Sequence, residues 1–395
     1  MPREVAIIGC GMTKFGNRIN ENLMDLLKEA STKAIDDANT GDRSIQALYV
    51  SSMFVGELTN QTAIASALCD ELCLFPAAAD RIENGPASGG SAIKNAYLAV
   101  ASGLYDIVLV TGGEKMRDAP GDKITDLLAT MTHPSAEYIH GVTLPSLAAM
   151  FTRLYMNRYG VERRHLAMIA IKNHENALKN PYAHLHARVT LEGIYSSPEA
   201  EVNNPVIADP LRLYDMCPIS DGAASIVLCS DEIAREFSDT PVTIAGFGQA
   251  TDIQAVSQRP DPTVLKAVEI SSERAFSMAK LTRKDIDVLE LHDAFTILEI
   301  AESEDAGFFK KGTAHIAVEE GLTSLDGDLP INPSGGLKAR GHPVGATGVA
   351  QMAELTWQLQ GEAEKRQVAG AEKAYCCNFG GFGNNVVSFV LTRGG

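Results

Sequence analysis

"GHPVGATGVAQMAELTWQLQG", residues 341–361, is a glycine-rich turn that runs into a helix and stops at another glycine. Glycine past the last turn is a common helix stop, because it takes the left-handed backbone without a side-chain clash. The same plan stands at 88–103 as "SGGSAIKNAYLAVASG", with small residues, an amphipathic run and a terminal Gly103. Two such helices imply a chain that repeats itself. "PVTIAGFGQAT" (241–251) matches the strand and glycine turn of "EVAIIGCG" (4–11), and "DIDVLELHDAF" (285–295) matches "IQALYVSSM" (45–53).

The remaining segments fit this plan. "NLMDLLKEASTKAIDDA" (22–38) and "EISSERAFSMAKL" (269–281) read as helices, and "YDIVLVTGGE" (105–114) as a buried strand. "KAYCCNFGGFGNNVVSFVLTR" (373–393) reads as a glycine-interrupted hairpin. Strands alternating with helices predict an α/β protein. The boundary between halves falls near 235–245, giving units 1–238 and 239–395. An insertion at about 117–215, rich in His, Tyr and Pro, interrupts the first half; beside a regular core it reads as a lid.

Composition narrows the function. The 395 residues carry 50 acidic and 34 basic side chains, a net charge of −16. A surface so acidic argues against nucleic acid or an anionic membrane as partner, though a local basic patch can still hold a phosphate group. No apolar run approaches the roughly 20 residues that span a bilayer. The first residues enter a strand directly, so the reading is a cytoplasmic protein without a signal peptide. Seven cysteines, several in apolar runs, read as reduced thiols. No CxxC pair has zinc-site spacing, so no intrinsic metal and no covalently bound cofactor is expected.

Three segments carry a resemblance: "HDAF" (292–295), "NPSGGLKARGHPVGATG" (332–348) and "CNFGGFGNN" (377–385). With "ASGG" (87–90) and "GGEKM" (112–116), they make the chain similar to the thiolase superfamily along essentially its whole length. The closest likeness is to the archaeal-type and sterol-carrier-protein-type branch. The resemblance implies a duplicated, five-layered αβαβα fold, a homodimer, and acyl-CoA thioesters as substrates, with coenzyme A itself a substrate. Members of this branch also work with a small OB-fold, zinc-ribbon partner protein.

Chemistry beside a thioester carbonyl requires donors where enolate charge develops and a base near the α-carbon. By resemblance, His342 in the GHP turn activates a thiol and helps bind an oxyanion, Cys377 is the acid/base thiol, and His292 holds the oxyanion. Gly380 and Gly381 would offer backbone donors there. Each has a plainer reading as a core histidine, a packed thiol or tight-turn glycines; the three segments in this order favour chemistry. Tyr138 and His140, in "EYIHGVTLP", are candidates for an acyl pocket under the lid or for a solvated loop.

The decisive departure is in "ENGPASGGSAI" (83–93). By resemblance, the covalent cysteine belongs where Pro86 stands. Proline has neither a thiol to accept an acyl group nor an N–H to donate, yet it suits the first turn of a helix. Ser88, Cys69, Cys73 and Cys217 are weak substitutes, and Cys377 beside His342 is a stronger one. The expected reaction is therefore thiolase-like Claisen or retro-Claisen acyl transfer, with free CoA or Cys377 in the missing role. A retro-aldolase acting on a β-hydroxyacyl-CoA is the alternative, and a non-catalytic scaffold subunit the third.

Overall fold

The computed structural model describes residues 3–394. Nine strands build one sheet: β1 (Val5–Met12), β2 (Ala47–Ser51), β3 (Ala78–Ile82), β4 (Ile107–Glu114), β5 (Gly222–Ser230), β6 (Val242–Thr251), β7 (Val288–Glu290), β8 (Lys373–Gly380) and β9 (Asn385–Arg393). Their order across the sheet is β3-β2-β4-β5-β1-β6-β9-β8-β7. Strands β1 to β5 form one arm and β6 to β9 the other. The arms join where β1 meets β6 antiparallel, through Ala6 opposite Thr243 and Ile7 opposite Val242.

Every residue of β1, β4 and β5 is buried, as strands covered on both faces must be. Side chains alternate between two cores with the pleat: Ala6 and Ile8 face one, Ile7 the other. Helices α1 (Leu23–Ala38) and α2 (Ile64–Glu71) supply Leu26, Leu27 and Leu68 to the outer core of the first arm. Helix α3 (Ser88–Ala101) contributes Ile93 and Val100 to the middle core between the arms.

The insertion contains α4 (Gly121–Ala129), α5 (Leu144–Tyr159), α6 (Arg163–Ala177) and a short ribbon of Val206–Ala208 with Leu211–Arg212. On the second arm, α7 (Lys266–Ala279) and α8 (Thr296–Asp305) cover the outer face. A short helix, α9 (Gly336–Arg340), leads into α10 (Thr347–Gln360), which lies with α3 in the middle core through Val349, Leu355 and Trp357. The result is a layered α/β architecture, with helices on both outer faces and between the two arms. Among the described residues no helix is long and apolar enough to cross a membrane.

The duplication has a steric signature. A Cβ on Gly9 of β1 would lie 2.5 Å from the Ala38 nitrogen of α1, and one on Gly246 of β6 would lie 2.8 Å from the Ala279 nitrogen of α7. Each glycine lets an outer helix settle against its strand. The insertion is largely core-forming: Leu147, Phe151, Tyr155, Leu166 and Ile169 of α5 and α6 join the outer core of the second arm. Only α4 and the first turn of α5 reach the cavity described next.

Candidate active site

The two middle helices begin at the same place. A Cβ on Gly89 would lie 2.9 Å from the Gly348 Cα, and one on Gly348 would lie 2.5 Å from the Gly90 nitrogen. Two helix starts approach this closely only because neither carries a side chain at the contact. Both bring the positive ends of their helix dipoles to this contact.

At the first start, the turn Asn84–Ala87 is closed by its own hydrogen bonds. The Ser88 hydroxyl donates to the Gly85 carbonyl (2.5 Å) and accepts from the Asn84 N–H (2.8 Å). Asn378 of β8 reaches across: its Nδ2 donates to the Pro86 carbonyl (3.1 Å), and its Oδ1 accepts from the Gly90 N–H (3.0 Å). Ser88 is thus a buried turn-holding hydroxyl.

At the second start stand two histidines. His342 follows Gly341, whose φ of +110° lies in the region that favours glycine. Its Nδ1 lies 2.6 Å from the Thr347 hydroxyl, which itself donates to the Pro343 carbonyl (3.1 Å). Thr347 therefore accepts the Nδ1 proton and leaves Nε2 with a free lone pair. His292 has the opposite tautomer. Its Nδ1 faces two donors, Asn378 Nδ2 (3.3 Å) and the Phe379 N–H (3.4 Å), so the proton sits on Nε2. The chain of assignment starts at Gly90, whose N–H fixes the Asn378 amide, which in turn fixes the His292 ring.

The rings stand perpendicular with centroids 4.9 Å apart, and His292 stacks on Phe379. Burial pushes the His342 pKa down to about 3, with the nearby Arg340 charge adding to it. Burial also lowers His292 well below the ordinary imidazole value, helped by His342 and Arg340. Both rings are neutral near pH 7, one offering a base and the other a donor.

His342 opens onto an apolar cavity of about 210 Å³, lined also by Met116, Leu128, Leu144, Cys217, Ala294 and Phe295. A buried carboxylate secures the turn beside it. Glu114, at the end of β4, accepts from the Ser52 hydroxyl and from the Met53, Phe54 and Gly345 N–H groups. Burial pushes its pKa up to about 7 against those four donors.

Cys377 does not line that cavity; it neighbours Glu302, which accepts the His292 N–H (2.8 Å). The pleat of β8 turns Cys376 toward Met352 of α10 and Asn378 toward Pro86, so Cys377 points to the opposite core with Tyr375 and Phe379. Its sulfur is 3.9 Å from the Ser388 hydroxyl, and burial raises its pKa well above the usual thiol value, with Glu302 adding to the effect. Asn378, not singled out from the sequence, meets both His292 and Pro86, while Phe379 stacks on the His292 ring. Period-two counting along β8 would have separated it from Cys377 once the strand's middle-core face was known.

The other expected residues divide as follows. Gly380 and Gly381 sit beside the Asn84–Pro86 turn, on a separate polar groove of about 550 Å³ shared with Asn384 and Asn385. Tyr138 is half-buried, its hydroxyl donating to Asp126 (3.0 Å), and His140 is exposed; the cavity takes Thr125, Leu128, Leu144 and Pro145 from that region instead. Cys69 packs in the outer core of the first arm and Cys73 is exposed. Of the substitute thiols named above, Cys217 lines the His342 cavity.

Residues 5–232 match the thiolase N-terminal domain, and residues 248–393 match the thiolase C-terminal domain-like family. The chain belongs to the thiolase family. It is 45% identical to an acetyl-CoA acetyltransferase of Methanothermobacter thermautotrophicus, covering 99% of this chain and 100% of the relative. It is 34% identical to human sterol carrier protein 2, over 98% of this chain and 71% of that one. Among solved structures, the Ltp2-ChsH2(DUF35) aldolase superposes with a TM-score of 0.85 at 23% identity, covering 99% and 98% of the two chains. At that identity the likeness speaks for the thiolase fold.

Proposed function

We propose that this thiolase-family chain makes or breaks the C–C bond beside a CoA thioester by Claisen or retro-Claisen acyl transfer. It would do so without a cysteine nucleophile in its first half. The observation that carries the reading is the His292–His342 pair, two neutral rings of opposite tautomer with centroids 4.9 Å apart, of which His342 lines the apolar cavity. In cleavage, His342 Nε2 takes the proton of the CoA thiol, whose sulfur attacks the β-keto carbon. The C–C bond then breaks, and the His292 Nε2–H donates to the thioester oxygen that gains enolate charge.

Pro86 stands at the degenerate nucleophile position. Its carbonyl is tied to Asn378, and it has no sulfur to receive an acyl group. The acetyl-CoA acetyltransferase named among its relatives supports acyl transfer, and a cavity of about 210 Å³ suits a short acyl unit. We read 1–238 and 239–395 as the two halves of a cytoplasmic homodimer subunit. A small OB-fold, zinc-ribbon protein would help hold CoA, in keeping with the DUF35 component named with the aldolase of similar fold.

Retro-aldol cleavage of a β-hydroxyacyl-CoA is the second reading. Pro86 and Asn378 favour it: neither of the two side chains at the first helix start offers a thiol, and this reaction needs no acyl acceptor. A panel of β-keto- and β-hydroxyacyl-CoAs, offered with and without CoA, separates the two. CoA-dependent cleavage of keto substrates supports acyl transfer, whereas CoA-independent release of an aldehyde or ketone from hydroxy substrates supports the aldolase. No turnover of either class, with or without the partner, would overturn both in favour of a scaffold subunit.

A further inference from the structure

The site holds a thiol that the reaction above leaves unused. Cys217 lines the same apolar cavity as His342, beside Ala294 and Phe295. Its N–H donates to the Ala294 carbonyl (2.9 Å), and Met216 pairs antiparallel with Phe295, so its loop is tied to the segment that follows His292. Behind this loop lies Lys338 of α9, only 2% exposed. Its ammonium has no carboxylate within ion-pair distance and no hydrogen-bond acceptor among the described residues; it stands 5.5 Å over the Tyr214 ring. A buried cation with no directly bonded anion is costly, and an anion forming beside it relieves that cost.

Resting on the enolate chemistry proposed above, we infer that Cys217 is the proton-carrying thiol of the site, with Lys338 as the counter-charge of its thiolate. In cleavage, the Cys217 S–H gives its proton to the α-carbon of the departing enolate, forming the new C–H bond and leaving a thiolate. The imidazolium of His342, which holds the proton taken from CoA or from a β-hydroxyl, returns a proton to that thiolate. The cycle closes with no net gain or loss, for either reaction class. In condensation each step reverses, and the thiolate removes the α-proton.

Burial pushes the Cys217 thiol up to about 12, with the Lys338 charge pulling the other way. Burial brings Lys338 down to about 8, and Cys217, Asp293 and Asp215 pull it back up. A thiol protonated at rest suits delivery of a proton to carbon better than standing attack on a carbonyl. That decides between the two roles a cavity cysteine could take.

The test is α-proton exchange, which needs no C–C bond to form or break. Acetyl-CoA is incubated with the protein in D2O, and deuterium in its methyl group is followed by mass spectrometry. Wild type is expected to exchange, and Cys217→Ala to exchange at least about a hundredfold more slowly while melting at the same temperature and binding acetyl-CoA alike. Cys217→Ser, a one-atom change, gives the same reading if Cys217→Ala does not fold. Undiminished exchange in either folded variant overturns the assignment. Cleavage by wild type without any exchange also overturns it while sparing the proposed function; neither cleavage nor exchange removes both.

Discussion

The two helix starts that meet at Gly89 and Gly348 occupy equivalent places in a duplicated chain, yet one is sealed and the other open. At the first, Ser88 and Asn378 engage the backbone of the turn, and Pro86 supplies no N–H. At the second, His342 keeps a free Nε2 at the edge of an apolar cavity. Duplication supplied one geometry twice, two helix starts that meet at glycines carrying no side chain of their own. On the proposed function, the side chains at the first start serve packing and those at the second serve the chemistry. Reactivity here follows from which hydrogen bonds are left unmade.

Removing the open side of the comparison has the largest expected effect. His342→Ala should lower kcat for C–C cleavage by about 10²–10⁴-fold, read in the substrate panel above, with the melting temperature nearly unchanged. If cleavage persists, the base lies elsewhere. Breaking the seal comes next. Asn378→Ala leaves the Gly90 N–H and the Pro86 carbonyl without their partner, and about 1–3 kcal/mol of unfolding free energy should disappear in urea titration. Unchanged stability would mean that the seal contributes nothing.

Acid sharpens the contrast further. The His342 pKa is about 3 when folded, against 6.5 for a free imidazole, so the unfolded chain binds more protons as pH falls. Stability from this group is complete above 6.5 and is lost on going down toward 3. Against His342→Gln, which cannot titrate, wild type should lose about 1.4 kcal/mol for each pH unit well below 6.5, measured by denaturant midpoints. Parallel curves for the two proteins would show that the ring is not buried neutral. The smallest effect should come from Pro86→Cys, which costs under about 1 kcal/mol through the freer unfolded chain. Its revealing readout is mass: an acyl adduct on the introduced thiol would show that the first turn still faces substrate.

Much of this was legible in the residues. The "IIGCG" and "IAGFG" runs announced two strands of one kind, and Gly9 and Gly246 prove to sit against equivalent helices. His292 and His342 were named from short motifs and stand with ring centroids 4.9 Å apart. The hairpin was harder to read. "YCCNF" is an apolar run with no alternation to mark its faces, so Cys377 and Asn378 could not be told apart until the pleat assigned one to each core. Cys217 reads from the sequence as part of a loop near the site but a weak nucleophile, and its place in the cavity wall comes with the Met216–Phe295 bridge, a pairing between distant segments. The cavity wall was likewise set by where α4 and α5 come to rest, which is why it holds Leu128 and Pro145 rather than Tyr138 and His140.

Glu114 carries a lesson about ancestry. Its carboxylate gathers the Ser52, Met53 and Phe54 donors of the first arm and the Gly345 N–H of the second around a single group. An ancestral single-repeat protein would have had no second arm within its own chain to bind in this way. Such a clasp across the repeat ties the folding of each arm to the other. Severing the gene at its seam would return two fragments, each holding part of one clasp.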